Sequence, residues 1–244
     1  MDRKPIFDAV RRMLGRGFTQ AEVKALDAAI DTALITVPAP EPDKSALRDE
    51  AAFFAGTRLV TGPLDQGQVD TIKGLLAKAA HWPLSWVAYA LATAWHEARF
   101  RHDREIGLGK GKVYGRAGAR SNKTIGPTYG GQIPYGRGLT QVTWCDNYEW
   151  ADAELAKARL IAPGELLANF DLALRPDISV FLLVRGMETG AFTGRKLAHY
   201  LPERLGTPAQ YRECRRIING LDKADLVAGY AERFEAALSA GGWG

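Results

Sequence analysis

The chain has 244 residues, of which 46% are hydrophobic and 25% are charged, as in an ordinary folded protein with a sizeable core. No apolar run reaches the length of about 18 residues that a membrane helix needs, so we expect no stable membrane insertion. The N-terminus lacks the apolar stretch of a signal peptide, which predicts synthesis in a cytoplasm without an export signal. A formal net charge of +4 favours anionic partners, including nucleic acid, an acidic cell wall or a membrane surface.

The first 45 residues are predicted to form a small unit separate from the rest. Apolar residues repeat at helical spacing within residues 6–35, and Thr19 with Glu22 has the spacing of a capping box. The Pro-rich run over residues 36–43 cannot continue a helix. The predicted organisation is an N-terminal helical unit over residues 1–35, a Pro-rich linker over 36–45 and a main domain over 46–244.

The main domain is predicted to be mainly α-helical, because its apolar residues repeat at helical spacing and strand signals are poor. A helix over Pro83–Phe100 carries a stripe of apolar residues on one face. Between Gly107 and Gly138, ten of 32 residues are glycine and the periodicity disappears. Loops of that length inside a domain are usually functional. The other predicted helices are Asp65–Ala80, Thr140–Ala158, Asp177–Glu188, Arg195–Leu201, Pro208–Ile218 and Lys223–Leu238.

Two carboxylates flank the junction between the predicted helix Pro83–Phe100 and the glycine-rich loop. Glu97 lies near the helix C-terminus, where the helix dipole disfavours a negative charge, although Arg99 and Arg101 favour it. Glu105 lies eight residues further on. Inverting glycosidases hold two carboxyl groups roughly 6.5–9.5 Å apart, with a water molecule between the base and the sugar. Taken alone, each residue is better explained as an ordinary surface carboxylate.

A contiguous motif changes that interpretation. The segment Tyr135–Trp144 reads Tyr-Gly-Arg-Gly-Leu-Thr-Gln-Val-Thr-Trp. It resembles the signature Tyr-Gly-Arg-Gly-x-x-Gln-(Leu/Val)-(Ser/Thr) of glycoside hydrolase family 19, which includes chitinases and phage endolysins. The resemblance covers roughly residues 60–240. Further segments resemble family elements in the family's order: His96-Glu97, Arg104-Glu105-Ile106-Gly107, Gly186–Gly194 and Ile217-Ile218-Asn219-Gly220.

The resemblance implies a lysozyme-like, mainly α fold with two lobes and a deep cleft, with the glycine-rich loop as one wall. It implies that Glu97 is the general acid and that Glu105 is the base. Thr143 matches the hydroxyl residue that helps to hold the attacking water. The implied substrate-binding residues are Tyr135, Gln141, Asn147 and Asn219.

The function implied is inverting cleavage of β-1,4 bonds in bacterial peptidoglycan by a monomeric endolysin, without a metal or other cofactor. Such a protein would stay in the host bacterial cytoplasm until its release to the cell wall. The alternatives are a chitinase acting on N-acetylglucosamine polymers, or a non-catalytic basic protein that binds the cell wall or nucleic acid. We expect no nucleic-acid partner, because the sequence contains no nucleic-acid-binding motif that we recognise.

The chain departs from the family pattern at two places. Ala98-Arg99-Phe100 follows Glu97, where the family often has Thr-Gly-Gly or Ser. Leu221 replaces a second glycine after the Ile-Asn-Gly element, and Asp222 is the nearest acid. The role of Asp222 stays open. The two cysteines, Cys145 and Cys214, are expected to be reduced.

Eight basic residues lie between Arg99 and Lys123. They are explained either as a solvated loop or as a surface that attracts acidic groups of a cell wall.

Overall fold

Backbone contacts divide the chain into two units, residues 1–43 and residues 44–244. The computed structural model of the protein describes residues 4–27, 47–202 and 204–244. The linker predicted over residues 36–45 lies outside the described residues, as does the segment over residues 28–35.

In the N-terminal unit, helix α1 runs over Lys4–Leu14 and helix α2 includes residues 20–27. The capping box predicted from Thr19 and Glu22 is present. The Glu22 carboxylate accepts from the Thr19 backbone N–H at 2.9 Å, and the Thr19 hydroxyl accepts from the Glu22 N–H at 3.3 Å. Two aromatic rings, those of Phe7 and Phe18, meet edge to face at 5.5 Å between centroids. This unit is therefore a helical pair as far as the chain is described.

The prediction of a mainly α fold is confirmed for the main unit. The described residues contain no β-strand, and their only strand-like pairing is three isolated antiparallel bridges. No helix among the described residues is both long and apolar enough to cross a bilayer. The main-unit helices are α3 Glu50–Thr61, α4 Gln66–Lys78, α5 Leu84–Ala98, α6 Cys145–Lys157, α7 Glu165–Ala168, α8 Pro176–Thr189, α9 Pro208–Cys214 and α10 Ala224–Ala240.

Helix α5 is the centre of the larger hydrophobic cluster, to which α3, α4, α8, α9 and α10 also contribute. The predicted apolar stripe was too narrow, because most of α5 between Leu84 and Ala94 is buried on every side. Alanines alternate along this part of the helix and allow neighbouring helices to approach closely. Just beyond the helix, Phe100 is 1% exposed and packs edge to face on Phe234. The C-terminal end of α5 is therefore held firmly in place.

A second hydrophobic cluster joins α6, α7 and the first part of α8. Its tightest aromatic contact is between Tyr148 and Phe170, whose rings stack at 4.0 Å between centroids. Arg137 is only 4% exposed and donates to the Tyr148 hydroxyl at 2.9 Å and to Asp171 at 2.8 Å. This arginine ties the segment before α6 to the second cluster.

The helix predicted from Thr140 begins only at Cys145. The Arg137 and Val142 backbones exchange two hydrogen bonds, at 3.2 and 3.0 Å, which close a tight turn instead of a helix. Gln141 and Trp144 adopt positive φ angles of 52° and 75° in this turn. The helix predicted over Arg195–Leu201 is likewise reduced to a 3₁₀ turn over Leu197–His199.

Helix α3, which the sequence analysis did not predict, packs against α10 at a glycine. An ideal Cβ placed on Gly56 would lie 2.8 Å from the Cβ of Ala237 and 3.0 Å from its Cα. Gly229, on α10, has nothing within 4 Å of the same position. The two helical glycines therefore differ in the space available to a methyl group.

We predict that Gly56→Ala destabilises the protein by about 1–3 kcal/mol, because the added methyl group forces α3 and α10 apart. Gly229→Ala is the matched control, and its better helix propensity should increase stability by up to about 1 kcal/mol. Thermal and urea unfolding of both variants measures the difference. Equal stability of Gly56→Ala and the unsubstituted protein would contradict the close approach.

Candidate active site

A groove lies on the main unit at the C-terminal end of α5, and it consists of two adjoining pockets. The first, which we call the aromatic pocket, has a volume of about 310 Å³ and is lined in part by Tyr114, Trp144 and Phe192. The second, the arginine pocket, has a volume of about 550 Å³. Its basic lining residues are Arg99, Arg101 and Arg104. Both pockets are lined by Glu97, Tyr114, Gln141 and Thr143, and Glu105 lines the arginine pocket.

Glu97 lies in the last turn of α5 and pairs with a buried arginine. The Arg215 guanidinium donates to Glu97 Oε1 at 2.6 Å, and the two side chains are 2% and 19% exposed. Arg215 also donates to the backbone carbonyl of Asp222 at 2.9 Å. The structure gives no other hydrogen bond to this carboxyl group among the described residues, so Oε2 is available to a ligand in the groove.

His96, next to Glu97, is partly buried at the same helix end. Burial holds the pKa of His96 below its usual value, which keeps the imidazole ring neutral near pH 7. A neutral ring adds no positive charge beside the Glu97 carboxyl.

Glu105 is held by three hydrogen bonds. The Tyr114 hydroxyl donates to Oε1 at 2.5 Å, and the Gly136 backbone N–H donates to Oε2 at 3.3 Å. The Glu105 N–H donates in turn to the Gly136 carbonyl at 2.8 Å. The first two bonds are donated to the carboxyl group, so both of its oxygens have a defined position.

The glycine-rich loop brings Tyr114 to Glu105 through a close backbone approach. A Cβ on Gly115 would lie 1.8 Å from the Gly109 carbonyl oxygen, so the loop can cross itself here because both positions are glycine. The Tyr114 ring then packs edge to face on Trp144 at 5.3 Å between centroids. The loop thus supplies one wall of the groove and a hydrogen-bond donor to Glu105.

The turn before α6 directs the polar side chains of the signature segment into the groove. The Thr143 hydroxyl donates to the Gln141 carbonyl at 2.6 Å, which leaves its lone pairs able to accept from a water molecule. Asn147 donates to the Thr143 carbonyl at 2.8 Å, and its side-chain oxygen can accept from an amide.

Gln141 lines both pockets, and its amide nitrogen donates to two backbone carbonyls of the protein. It donates to the Gly138 carbonyl at 2.9 Å and to the Asp103 carbonyl at 3.3 Å. Asn219 is exposed, lines the aromatic pocket and follows a 3₁₀ turn over Arg215–Ile217. Its backbone N–H donates to the Arg215 carbonyl at 3.0 Å, so the Ile-Asn-Gly element and the partner of Glu97 form one local unit.

Tyr135, one of the substrate-binding residues that the resemblance implies, is not brought into the groove lining. Tyr135 is 9% exposed and lines neither pocket of the groove. The Arg137 guanidinium lies over its ring at 3.7 Å from the centroid, and the Tyr135 carbonyl accepts from Arg137 at 3.0 Å. Tyr135 therefore packs inside the turn that carries the signature segment.

Sequence reasoning missed several residues that the structure places in the groove. Arg215 lies four residues before Asn219. Its closeness to the Ile-Asn-Gly element was the one sequence signal that could have indicated a place in the groove. Tyr114 and Phe192 lie in segments without helical periodicity, where spacing gives no information. Phe192 reaches the aromatic pocket because Gly186 leaves room for its ring, 2.2 Å from where a Cβ would be.

The described residues contain no cluster of three or more His, Cys, Asp or Glu side chains placed to hold a metal ion. Cys145 and Cys214 are both buried and unbridged, and burial raises the pKa of each thiol. Neither cysteine is therefore suited to act as a nucleophile.

The groove can hold an extended polar ligand between one carboxyl group paired with arginine and another that accepts from Tyr114. The hydroxyl group of Thr143 and the amide side chains of Gln141, Asn147 and Asn219 line the same groove. Comparisons with protein-family models, curated proteins and solved structures found no match to this chain. The resemblance described above therefore depends on its sequence motifs.

We predict that Arg215→Gln lowers the free energy of unfolding by about 3 kcal/mol, because it breaks the largely buried pair with Glu97 and the hydrogen bond to the Asp222 carbonyl. Arg216→Gln is the matched control. Arg216 is exposed and pairs with Glu213, so its loss should cost no more than about 1 kcal/mol. Urea unfolding of both variants at pH 7 provides the test, and equal losses would argue against the buried pair.

We also predict a coupling between Tyr114 and Glu105 that can be titrated. Burial, followed by the hydrogen bond to Glu105, raises the pKa of Tyr114 to about 12. Glu105→Gln should lower this pKa, although burial should keep it above the ordinary value of 10.0. Tyrosinate absorbance after a rapid pH jump, taken as the difference from the corresponding Tyr114→Phe variant, measures the change.

The control for this titration is Asp103→Asn, which removes a different carboxylate of the arginine pocket. It should shift the Tyr114 titration by much less than Glu105→Gln does. An unchanged Tyr114 titration in Glu105→Gln would mean that the phenol does not bond to this carboxylate in solution.

Proposed function

We propose that the protein is a glycoside hydrolase of the endolysin type that cleaves β-1,4 bonds of bacterial peptidoglycan with inversion at the anomeric carbon. The observation that carries the proposal is that Glu97 and Glu105 line the same pocket, together with Thr143. Their surroundings differ, since Glu97 contacts Arg215 and Glu105 accepts from a phenol and a backbone N–H. Two carboxyl groups in different environments are what acid–base cleavage of a glycoside requires.

In the proposed reaction, Glu97 gives its proton to the oxygen of the leaving sugar while the glycosidic bond breaks. Glu105 accepts a proton from a water molecule, and this water attacks the anomeric carbon from the opposite face. Thr143 holds the water by accepting a hydrogen bond from it, because its own proton is donated to the Gln141 carbonyl. Arg215 fixes the position of the Glu97 carboxyl group and can offset negative charge on it after the proton has left.

The residues that line the groove are also suited to binding a glycan. Tyr114, Trp144 and Phe192 give the aromatic pocket apolar surface for the faces of sugar rings. Asn147 and Asn219 provide amide groups, which can donate to and accept from an N-acetyl group. We expect the groove to separate two lobes, as in lysozyme, and the two hydrophobic clusters are compatible with that arrangement.

The proposed setting is lysis of a bacterial host, in which a monomer is held inside the cell and then released to the wall. The proposed partner is the peptidoglycan glycan strand, with no nucleic acid and no metal or other cofactor. Chitin is the second candidate substrate, because amide side chains in the groove suit N-acetyl groups that both polymers carry. Peptidoglycan is the first candidate because it carries carboxylates, to which the arginine side chains of the second pocket can donate hydrogen bonds.

The proposal predicts that Glu97→Gln and Glu105→Gln each reduce turnover of purified peptidoglycan by about 100-fold or more. Glutamine can still accept from Arg215 in Glu97→Gln, so this variant should remain folded, which thermal unfolding checks. Asp225→Asn, which removes an exposed carboxylate paired with Arg212, is the control and should keep full activity.

The products identify the reaction. Mass spectrometry of digested peptidoglycan determines which sugar carries the new reducing end, and chitin oligomers are digested in parallel. Proton NMR during turnover should show the α-anomer appearing first, because a β bond is cleaved with inversion. Full activity of both glutamine variants, or initial release of the β-anomer, would rule out the proposed mechanism.

A further inference from the structure

The arginine pocket contains a cation without a carboxylate partner in the described part of the chain. Arg101 pairs with Asp65 at 2.6 Å, and Arg104 pairs with Asp171 at 2.6 Å. Both of those charges are therefore partly neutralised from outside the pocket. Arg99 lines the same pocket and forms no salt bridge among the described residues.

Arg99 has a defined position two residues after Glu97. Its backbone N–H donates to the Trp95 carbonyl at 3.1 Å, and its carbonyl accepts from the Gln68 side chain at 2.8 Å. Its guanidinium carbon lies over the Trp95 ring, 4.4 Å from the centroid. Both the backbone and the side chain of this pocket-lining residue are thus held in a defined position.

Arg99 also lies in a segment where the chain departs from the family pattern, Ala98-Arg99-Phe100. Packing explains Phe100, which is 1% exposed. It does not explain Arg99, whose side chain is exposed and whose φ of 51° would suit a glycine better. A positive φ also occurs at Arg159, which lies outside the groove lining. The backbone conformation alone therefore does not indicate a binding residue, and what distinguishes Arg99 is its position in the pocket.

We infer that Arg99 binds a carboxylate on a substituent of the glycan strand, and that this contact makes the groove prefer an acidic wall glycan to neutral chitin. The inference builds on the proposed function and adds a specificity-determining residue to it. A guanidinium group can donate two parallel hydrogen bonds to a carboxylate. In peptidoglycan that carboxylate belongs to an amino acid of the peptide stem or, where the stem has been removed, to the lactyl group of a muramic acid.

General electrostatic attraction cannot account for such a preference. The lining of the arginine pocket also includes the carboxylates of Asp103 and Glu105, so the pocket as a whole is not strongly positive. A carboxylate ligand is therefore bound through direct contact with Arg99. The effect of removing Arg99 should be much larger than the effect of removing an arginine elsewhere on the surface.

Equilibrium binding to the full-length Glu105→Gln protein tests the inference without turnover. Three soluble tetrasaccharide probes are compared: a peptidoglycan fragment with its peptide stems, the same fragment after amidase has removed the stems, and chitotetraose. Calorimetry gives the ratio of the chitotetraose Kd to the Kd of each acidic probe. Adding Arg99→Gln should lower this ratio about tenfold, and Arg99→Lys should restore part of it.

Arg159→Gln is the matched control, since it removes an exposed arginine of the same backbone conformation and should leave the ratio unchanged. Arg99→Gly separates recognition from folding. Its thermal midpoint should be equal to or above that of the parent protein because glycine suits the backbone, whereas the ratio should still fall. A loss confined to the stem-bearing probe assigns the contact to the peptide stem. A loss confined to the stem-free probe assigns it to the lactyl carboxylate, which only that probe carries, and a loss with both shows that Arg99 reaches a carboxylate at either position.

The inference is overturned if the parent protein binds the acidic probes no better than chitotetraose, or if Arg99→Gln and Arg159→Gln give the same ratio. Failure of the proposed function looks different. If the unsubstituted protein binds the acidic probes through Arg99 but cleaves none of the glycans, the contact stands and the hydrolase proposal fails.

Discussion

The ion pair between Glu97 and Arg215 joins the most buried helix of the protein to its groove. Helix α5 places Glu97 at the groove, and the 3₁₀ turn after α9 places Arg215 beneath it. Because Arg215 is almost fully buried, its charge has to be satisfied by Glu97 and by the Asp222 carbonyl. The pair therefore fixes two segments far apart in the sequence at one point, and the Asn219 side of the groove depends on it.

The remaining wall of the groove has a different physical basis. Around Glu105, the glycine-rich loop is held by backbone hydrogen bonds, by Tyr114 and by the close approach of Gly109 and Gly115. Arg137 holds the neighbouring turn through its contacts with Tyr148 and Asp171. One proposed catalytic carboxyl group thus rests on a packed helix and the other on a polar network, which gives the two groups different environments.

The helices were largely predictable from the sequence, because apolar residues at helical spacing must be buried together. The capping box at Thr19 also marked a helix start correctly, and the helix predicted from Asp65 begins with Asp65 as its N-cap. The turn at Gln141 was not predictable, because the sequence before α6 has the same helical pattern as α6 itself. The backbone conformation there is fixed instead by the hydrogen bonds between Arg137 and Val142. The partners of Glu97 and Glu105 were missed for a related reason. Arg215 and Tyr114 reach these carboxylates through tertiary packing and a loop, and no local spacing records such contacts.

The long loop carries large exposed apolar side chains that line neither pocket, among them Leu108, which is 50% exposed, and Ile125, which is 68% exposed. They add little to the hydrophobic clusters, so the loop can change in length or composition at small cost to the stability of the helices. Variation among related proteins should therefore concentrate here. A chain built in this way can acquire a new range of substrates while the helix that carries Glu97 remains as it is.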